Sequence, residues 1–157
     1  MTRQQKYPET STFRYYNANP KNRLTTDCVI RAICTALDQP WDLTLREMTE
    51  MGIKLGETPT SKKTIEKYLE QKGFSKCKQP RKSDNTKFTG VEWCNWLDSN
   101  EETRPQFHGC KAIIANIGGH HIVCIKPTEP DIWSRNFKVH DTWDSTDGCI
   151  GNYWIIR

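Results

Sequence analysis

The chain has 157 residues and a mass of 18.3 kDa, which is enough for one domain with its own core. Only 35% of the residues are hydrophobic, but six Trp, five Tyr and five Phe supply large buriable surfaces, which argues against wholesale disorder. No stretch approaches ~20 apolar residues and no apolar segment follows the N-terminal charges, so we expect neither a membrane span nor a secretory signal. Seven cysteines without such a signal indicate reduced thiols, and the expected location is cytoplasmic.

The net charge of +4 is concentrated in one part of the chain. Residues 61–90 carry a local charge of +6, so the remaining residues are slightly acidic together. This excess comes from nine basic and three acidic side chains: Lys62, Lys63, Lys67, Lys72, Lys76, Lys78, Arg81, Lys82, Lys87, Glu66, Glu70 and Asp84.

The first half of the chain predicts helices. Residues 1–12 are polar and predict a flexible segment, which leaves 13–157 as a single domain. The aromatic run at 13–16 predicts a strand or an anchoring arm, and residues 17–22 have turn chemistry. Thr25, Thr26 and Asp27 are N-cap candidates for a helix that begins near Cys28 and ends before Pro40. Further helices are predicted over 43–51, 61–72 and 91–99, and residues 77–87 predict a basic loop.

The second half predicts strands. Short β-branched or aromatic runs occupy 111–117, 120–126, 137–142 and 152–156, and Gly, Pro and Asp clusters separate them. Helices followed by strands indicate an α+β fold with an antiparallel sheet.

Cys28 has the position that a nucleophile needs. On a helical wheel it lies far from the centre of the apolar arc, whereas Cys34 borders that arc and is predicted to be structural. A thiol in a first helical turn feels the positive end of the helix dipole, which favours the thiolate, while the neighbouring carboxylate of Asp27 opposes it. A small buried cysteine without chemistry is the alternative interpretation.

Two further residue types would complete a nucleophilic site. His120 and His121 open an apolar strand with their side chains on opposite faces, so one of them can face a cleft. Asp141 ends the next predicted strand, where its carboxylate could orient an imidazole, and Trp143 could shield that pair from water.

This order of residues is similar to that of the papain-like cysteine peptidases. The sequence Asp141-Thr142-Trp143 resembles the Asn-Ser-Trp element of that family, with Asp as in the related bacteriocin-processing peptidases. The segments FRYYNANPKN, DCVIRAICTAL, HHIVCI, HDTWDS and GNYWII resemble small uncharacterised papain-like proteins of bacteriophages and prophages. The resemblance covers roughly residues 13 to 156 and is faint between 54 and 110.

The resemblance implies a papain-like fold, in which the helix of the nucleophile packs on a C-terminal antiparallel sheet. It implies a phage-encoded thiol protease or amidase without a cofactor, in which Cys28 attacks a peptide, isopeptide or amide carbonyl. In such an enzyme His121 is the acid and base, Asp141 orients it, and Asn22 corresponds to the oxyanion-hole side chain. Trp143 and His120 are cleft candidates, and the expected partner is a protein or peptide substrate, with an acidic substrate as one option.

Two other classes of protein remain open. A non-catalytic papain-fold binder could engage a host factor or nucleic acid through residues 61–90, although lysines and glutamates at i, i+4 spacing also form ordinary solvated helix faces. A metal site could use His108, Cys110, His121 and Cys124, but residues 121 and 124 should lie on opposite faces of a strand, so we expect no metal.

Overall fold

The computed structural model describes residues 1–99, 107, 109–128 and 136–157. Within these residues the chain forms five helices and six strands. The helices are α1 (Arg3–Lys6), α2 (Cys28–Leu37), α3 (Trp41–Leu55), α4 (Lys62–Gln71) and α5 (Gly90–Ser99). The strands are β1 (Phe13–Tyr15), β2 (Ser75–Cys77), β3 (Ala112–Ile117), β4 (His121–Pro127), β5 (Phe137–Asp141) and β6 (Ile150–Ile156).

The predicted helices are confirmed, with one difference in length. Helix α2 begins at Cys28, and the Thr89 hydroxyl accepts the Glu92 N–H at the start of α5. Helix α3 continues past Gly52, where the sequence indicated its end, and stops at Gly56 in the left-handed conformation, φ 68°. Gly52 serves packing instead, because a Cβ there would lie 2.7 Å from the Glu57 carbonyl oxygen.

The sheet is mixed, which corrects the prediction of a purely antiparallel sheet. Its strand order is β1-β5-β4-β3-β6-β2, and the β3, β4, β5 and β6 pairings are antiparallel as expected. The N-terminal strand β1 joins at the edge and runs parallel to β5, with Phe13 beside Val139. A parallel pair needs a long crossover, and here the chain between β1 and β5 contains helices α2 to α5 and strands β2 to β4.

Helices cover both faces of the sheet. Alternate residues of β3 and β4 belong to two apolar clusters, since successive side chains of a strand point to opposite faces. Ile114 and Cys124 pack with residues of α2, α3 and α4, whereas Ile113 and Ile125 pack with Trp93 of α5. Helices α2, α3 and α4 therefore bury one face of the sheet, and α5 buries the other.

Two short elements were not predicted. Helix α1 lies in the segment expected to be flexible and is held by a capping box between Thr2 and Gln5. Strand β2 reads Ser-Lys-Cys, which has no apolar alternation, and it forms the sheet edge beside β6. Among the described helices, none has the length and apolar character needed to cross a membrane.

Candidate active site

Helix α2 presents Cys28 in its first turn. Asp27 occupies the N-cap position, but its side chain forms no capping hydrogen bond. The first N–H groups of the helix therefore keep their partial positive charge next to the half-buried thiol.

His121 and Asp141 meet at neighbouring strand ends. Strands β4 and β5 pair in antiparallel register with Cys124 opposite His140, so alternation places His121 and Asp141 on the same face. The ring nitrogen Nε2 of His121 lies 2.5 Å from Asp141 Oδ2. The Asp141 side chain is 4% exposed and that of His121 is 17% exposed, so water screens this pair weakly.

Contacts between Cys28 and His121 favour an ion pair. Burial opposes ionisation of Cys28, but hydrogen bonds from His121 and the Ile122 backbone, with the charges of His121 and Arg31, lower its pKa below the ordinary value. Burial also disfavours the imidazolium of His121, yet hydrogen bonds with Asp141 and Cys28 and their negative charges raise its pKa to about 9. These opposite shifts favour thiolate and imidazolium together near neutral pH.

Arg31 and Thr142 fix the other oxygen of the Asp141 carboxylate. Asp141 Oδ1 accepts from Arg31 Nη2 at 3.0 Å and from the Thr142 N–H at 2.7 Å, which leaves Oδ2 for His121. Arg31 also pairs with Asp27, one helical turn earlier. The charges of the ionised groups alternate in sign along this chain of contacts, which runs through Asp27, Arg31, Asp141, His121 and Cys28.

The charge of Asp27 is therefore compensated, contrary to the expectation that it would oppose the thiolate. Its carboxylate pairs with Arg31 and accepts a hydrogen bond from Trp41 Nε1 at 2.9 Å. Asn19 Nδ2 donates a longer one of 3.4 Å. These partners also explain why the Asp27 side chain does not cap α2.

Trp143 lies beside His121. Its ring centroid lies 5.0 Å from that of His121 at a tilt of 40°. Both rings line a cavity of about 280 Å³, which we name the Arg3 cavity. Its lining residues are Arg3, Leu24, Thr25, Thr26, Cys28, Arg31, His121, Thr142 and Trp143.

A second, larger cavity begins on the other side of Cys28 and His121, because their chain neighbours Val29 and Ile122 line it. We name this space of about 570 Å³ the lysine cavity. His120, the second cleft candidate, is exposed and also lines it. The two adjacent histidines therefore face different cavities, as strand alternation predicts.

Asn22 does not join the other predicted site residues. It lies exposed in a turn at φ 52°, and its Oδ1 accepts a hydrogen bond from Asn17 Nδ2 at 3.2 Å. It is absent from the lining of the Arg3 cavity. The position six residues before Cys28 thus supplies no side-chain contact at the thiol, because the turn directs that amide oxygen to Asn17.

The remaining cysteines do not form a metal centre among the described residues. No group of three or more His, Cys, Asp or Glu side chains there could hold an ion. Cys124 is fully buried in the cluster facing α2, while His121 contacts Asp141 on the other face. His108, the remaining member of that predicted set, lies outside the described residues.

Most lysines of the basic segment are paired with carboxylates. Among the described residues, five such ion pairs involve residues 61–90, so the unpaired positive charge of this segment is smaller than the composition indicates. They are Lys63–Glu57, Lys67–Glu70, Lys72–Glu47, Lys76–Glu66 and Lys82–Glu92.

Arg31 and Arg3 were missed as site residues. The i, i+4 spacing of Asp27 and Arg31 could have predicted their ion pair, and Arg31 lies on the polar side of the helix with Cys28. Arg3 carried no signal, since its contact with the Thr142 carbonyl joins residues 139 positions apart.

Comparison with protein-family models, with curated proteins and with solved structures finds no match for this chain. The assignment of a function therefore depends on the geometry of the site.

Proposed function

We propose that the protein is a thiol-dependent hydrolase of the papain-like type, acting on a peptide, isopeptide or amide bond. One observation carries this proposal: Cys28 and His121 interact at the wall of one cavity, and His121 Nε2 lies 2.5 Å from Asp141 Oδ2, at the junction of a helix start and two strand ends. A nucleophile, a base within reach of it and a group that orients the base are the parts that covalent acyl transfer requires.

In the proposed reaction, the Cys28 thiolate attacks the substrate carbonyl carbon and the carbonyl oxygen becomes an oxyanion. The backbone N–H of Cys28, at the uncapped start of α2, is a donor for this oxygen. The His121 imidazolium then gives its proton to the leaving amine, and the C–N bond breaks to leave a thioester.

Water attacks the thioester in the second half of the reaction. Neutral His121 accepts a proton from that water, and the carboxylic acid leaves as the thiolate of Cys28 is restored. Throughout the cycle, Arg31 and the Thr142 N–H keep Asp141 fixed beside the imidazole. No cofactor is needed for either step.

The experiment that tests the proposal combines substrate turnover with trapping of the acyl-enzyme. A peptide library is incubated with the wild-type protein and with Cys28→Ala, His121→Ala and Cys149→Ala, and the Cys28 peptide is searched for a thioester adduct by mass spectrometry. Cys149→Ala is the matched control because Cys149 is an exposed thiol outside the site. We expect cleavage and adduct formation in wild type and Cys149→Ala only; a protein that neither cleaves the library nor forms an adduct at Cys28 would contradict the proposal.

A further inference from the structure

Arg3 brings a positive charge to the Arg3 cavity, and the contacts of the Arg3 side chain do not neutralise that charge. Arg3 Nε donates to the Thr142 carbonyl oxygen at 2.7 Å, and the guanidinium carbon lies 5.5 Å from the centre of the Tyr7 ring. Both partners are uncharged. Within the described part of the chain, no carboxylate lies within ion-pair distance of Arg3.

The other arginine of this cavity is different. Arg31 is buried and already paired with the carboxylates of Asp27 and Asp141. No Asp or Glu is among the described residues that line the Arg3 cavity. A guanidinium with neutral partners beside a nucleophile is suited to bind an anion, and carboxylates match its planar donors.

The lysine cavity repeats this charge pattern on the other side of Cys28. Its described lining contains Lys62 and Lys76 and no acidic residue. Lys76 pairs with Glu66, and the charge of Lys62 acts on the same carboxylate, so two cations share one anion there. Val29, Ile122 and Trp154 supply the apolar part of the same lining.

We infer that the cleft around Cys28 accepts an acidic peptide, with one carboxylate bound by Arg3 and another by the lysine cavity on the opposite side of the attacked bond. This inference depends on the proposed function and names its substrate class. The carboxylate at Arg3 has two possible sources, an Asp or Glu side chain or the C-terminus of the substrate. A cavity of about 280 Å³ has room for a group of that size.

The first test uses alkylation and needs no substrate. Iodoacetate and iodoacetamide transfer similar groups to sulfur with loss of iodide, but only iodoacetate carries a carboxylate. We expect Arg3→Gln to lower the iodoacetate-to-iodoacetamide rate ratio at Cys28 at least about fivefold, since it removes a nearby cation in a partly enclosed space. Arg3→Lys should keep most of the ratio, and circular dichroism checks that each variant is folded.

Lys6→Gln is the matched control, because it removes one positive charge from the same helix at a residue that does not line either cavity. A ratio that Arg3→Gln leaves unchanged, or that Lys6→Gln lowers equally, would overturn the inference while leaving the proposed function intact. Slow alkylation of Cys28 by both reagents together with an Arg3-dependent ratio would support the anion site and contradict the proposed function.

The second test distinguishes the sources of the carboxylate and examines the lysine cavity. Cleavage of peptides with Glu or Gln at each position near the bond is compared, each with a free or an amidated C-terminus. We expect Glu to be preferred on both sides and Lys62→Glu to reduce kcat/KM for the acidic peptides on one side. Lys67→Glu, on the same helix but outside the cavity, is the control. A preference for free C-termini with indifference to Glu would assign the Arg3 site to the terminal carboxylate, whereas equal cleavage of all peptides would contradict acidic specificity.

Discussion

Helix α2 contains two cysteines six residues apart whose acidities are shifted in opposite directions. At Cys34, burial raises the thiol pKa to about 11, and hydrogen bonds with Thr35 only partly offset it. At Cys28, burial acts in the same sense, but His121 and the Ile122 N–H reverse the outcome and lower the pKa. Contacts from strand β4, in addition to position on the helix, therefore determine which of the two thiols is the more acidic.

The two histidines near the ends of α2 also have pKa values that are shifted in opposite directions. Burial lowers the pKa of His140 to about 4, and its Nδ1–H donates to the Lys138 carbonyl oxygen at 3.0 Å. His121 is also partly buried, yet Asp141 and Cys28 raise its pKa to about 9. One end of the helix therefore faces a charged imidazole and the other a neutral one.

The largest expected effect comes from removing the reactive thiol. Cys28→Ala should lower the rate of amide hydrolysis by about 10³-fold or more, because no other group can form the thioester. The thiol is only partly buried, so the free energy of unfolding should change by less than about 1 kcal/mol. Peptide cleavage measures the rate, and urea unfolding measures the stability. An active Cys28→Ala protein would show that Cys28 is not the nucleophile.

Removing the arginine that joins the two buried aspartates should be the most damaging change to stability. Arg31→Leu leaves Asp27 and Asp141 without their cation, and breaking a buried ion pair costs about 3–5 kcal/mol. Arg14→Leu is the comparison, since the exposed Arg14–Glu9 pair contributes about 0–1 kcal/mol. Equal losses in urea unfolding of the two variants would show that the buried chain of charges contributes little.

The neutral histidine should make the fold sensitive to acid. Because its pKa is lowered in the folded protein, His140 contributes stability that is present above about pH 6.5 and lost as the pH falls towards 4. We expect a loss of about 2–3 kcal/mol over this interval in wild type and a smaller one in His140→Gln. His121 has the opposite sign, with stability present below about pH 6.5 and lost as the pH rises through about 9. Urea unfolding at several pH values measures both, and identical acid profiles of wild type and His140→Gln would contradict the assignment.

Substitution of Cys34, the cysteine predicted to be structural, should lower the stability of the fold and leave the activity unchanged, which is the reverse of the effect expected at Cys28. Cys34 is 2% exposed and its Sγ lies 3.4 Å from the Arg31 carbonyl oxygen. Cys34→Ser places a more polar group in this site and should cost about 1–3 kcal/mol of unfolding free energy. Peptide cleavage by the folded variant should remain near the wild-type rate, and its abolition would reverse the roles of the two thiols.

Local sequence patterns predicted the main elements, whereas the choice of Cys28, His121 and Asp141 as one site also depended on the resemblance to papain-like peptidases. Polar cap candidates before an apolar helix located Cys28, and strand alternation separated His120 from His121. The strand end at Asp141 placed a carboxylate beside the imidazole. These features repeat within a few residues, which is the range over which helix and strand periodicity operates.

Long-range contacts could not be predicted in this way. The parallel edge strand β1, the site contact of Arg3 and the ion pair between Arg31 and Asp141 join segments that are more than 100 residues apart in sequence. Asn22 is the opposite case, a predicted contact that does not form. Its sequence spacing from Cys28 matched a family pattern, but the turn at φ 52° gives its amide oxygen another partner. The placement of such residues depends on tertiary packing.

The most direct test of the central claim is the pH dependence of alkylation at Cys28 and Cys34, read by peptide mass spectrometry on native protein and on His121→Ala. We expect rapid labelling of Cys28 below about pH 7, its loss in His121→Ala, and no labelling of Cys34 until the protein unfolds. Labelling of Cys28 no faster than that of an ordinary thiol, or unchanged by the loss of His121, would contradict the activated ion pair.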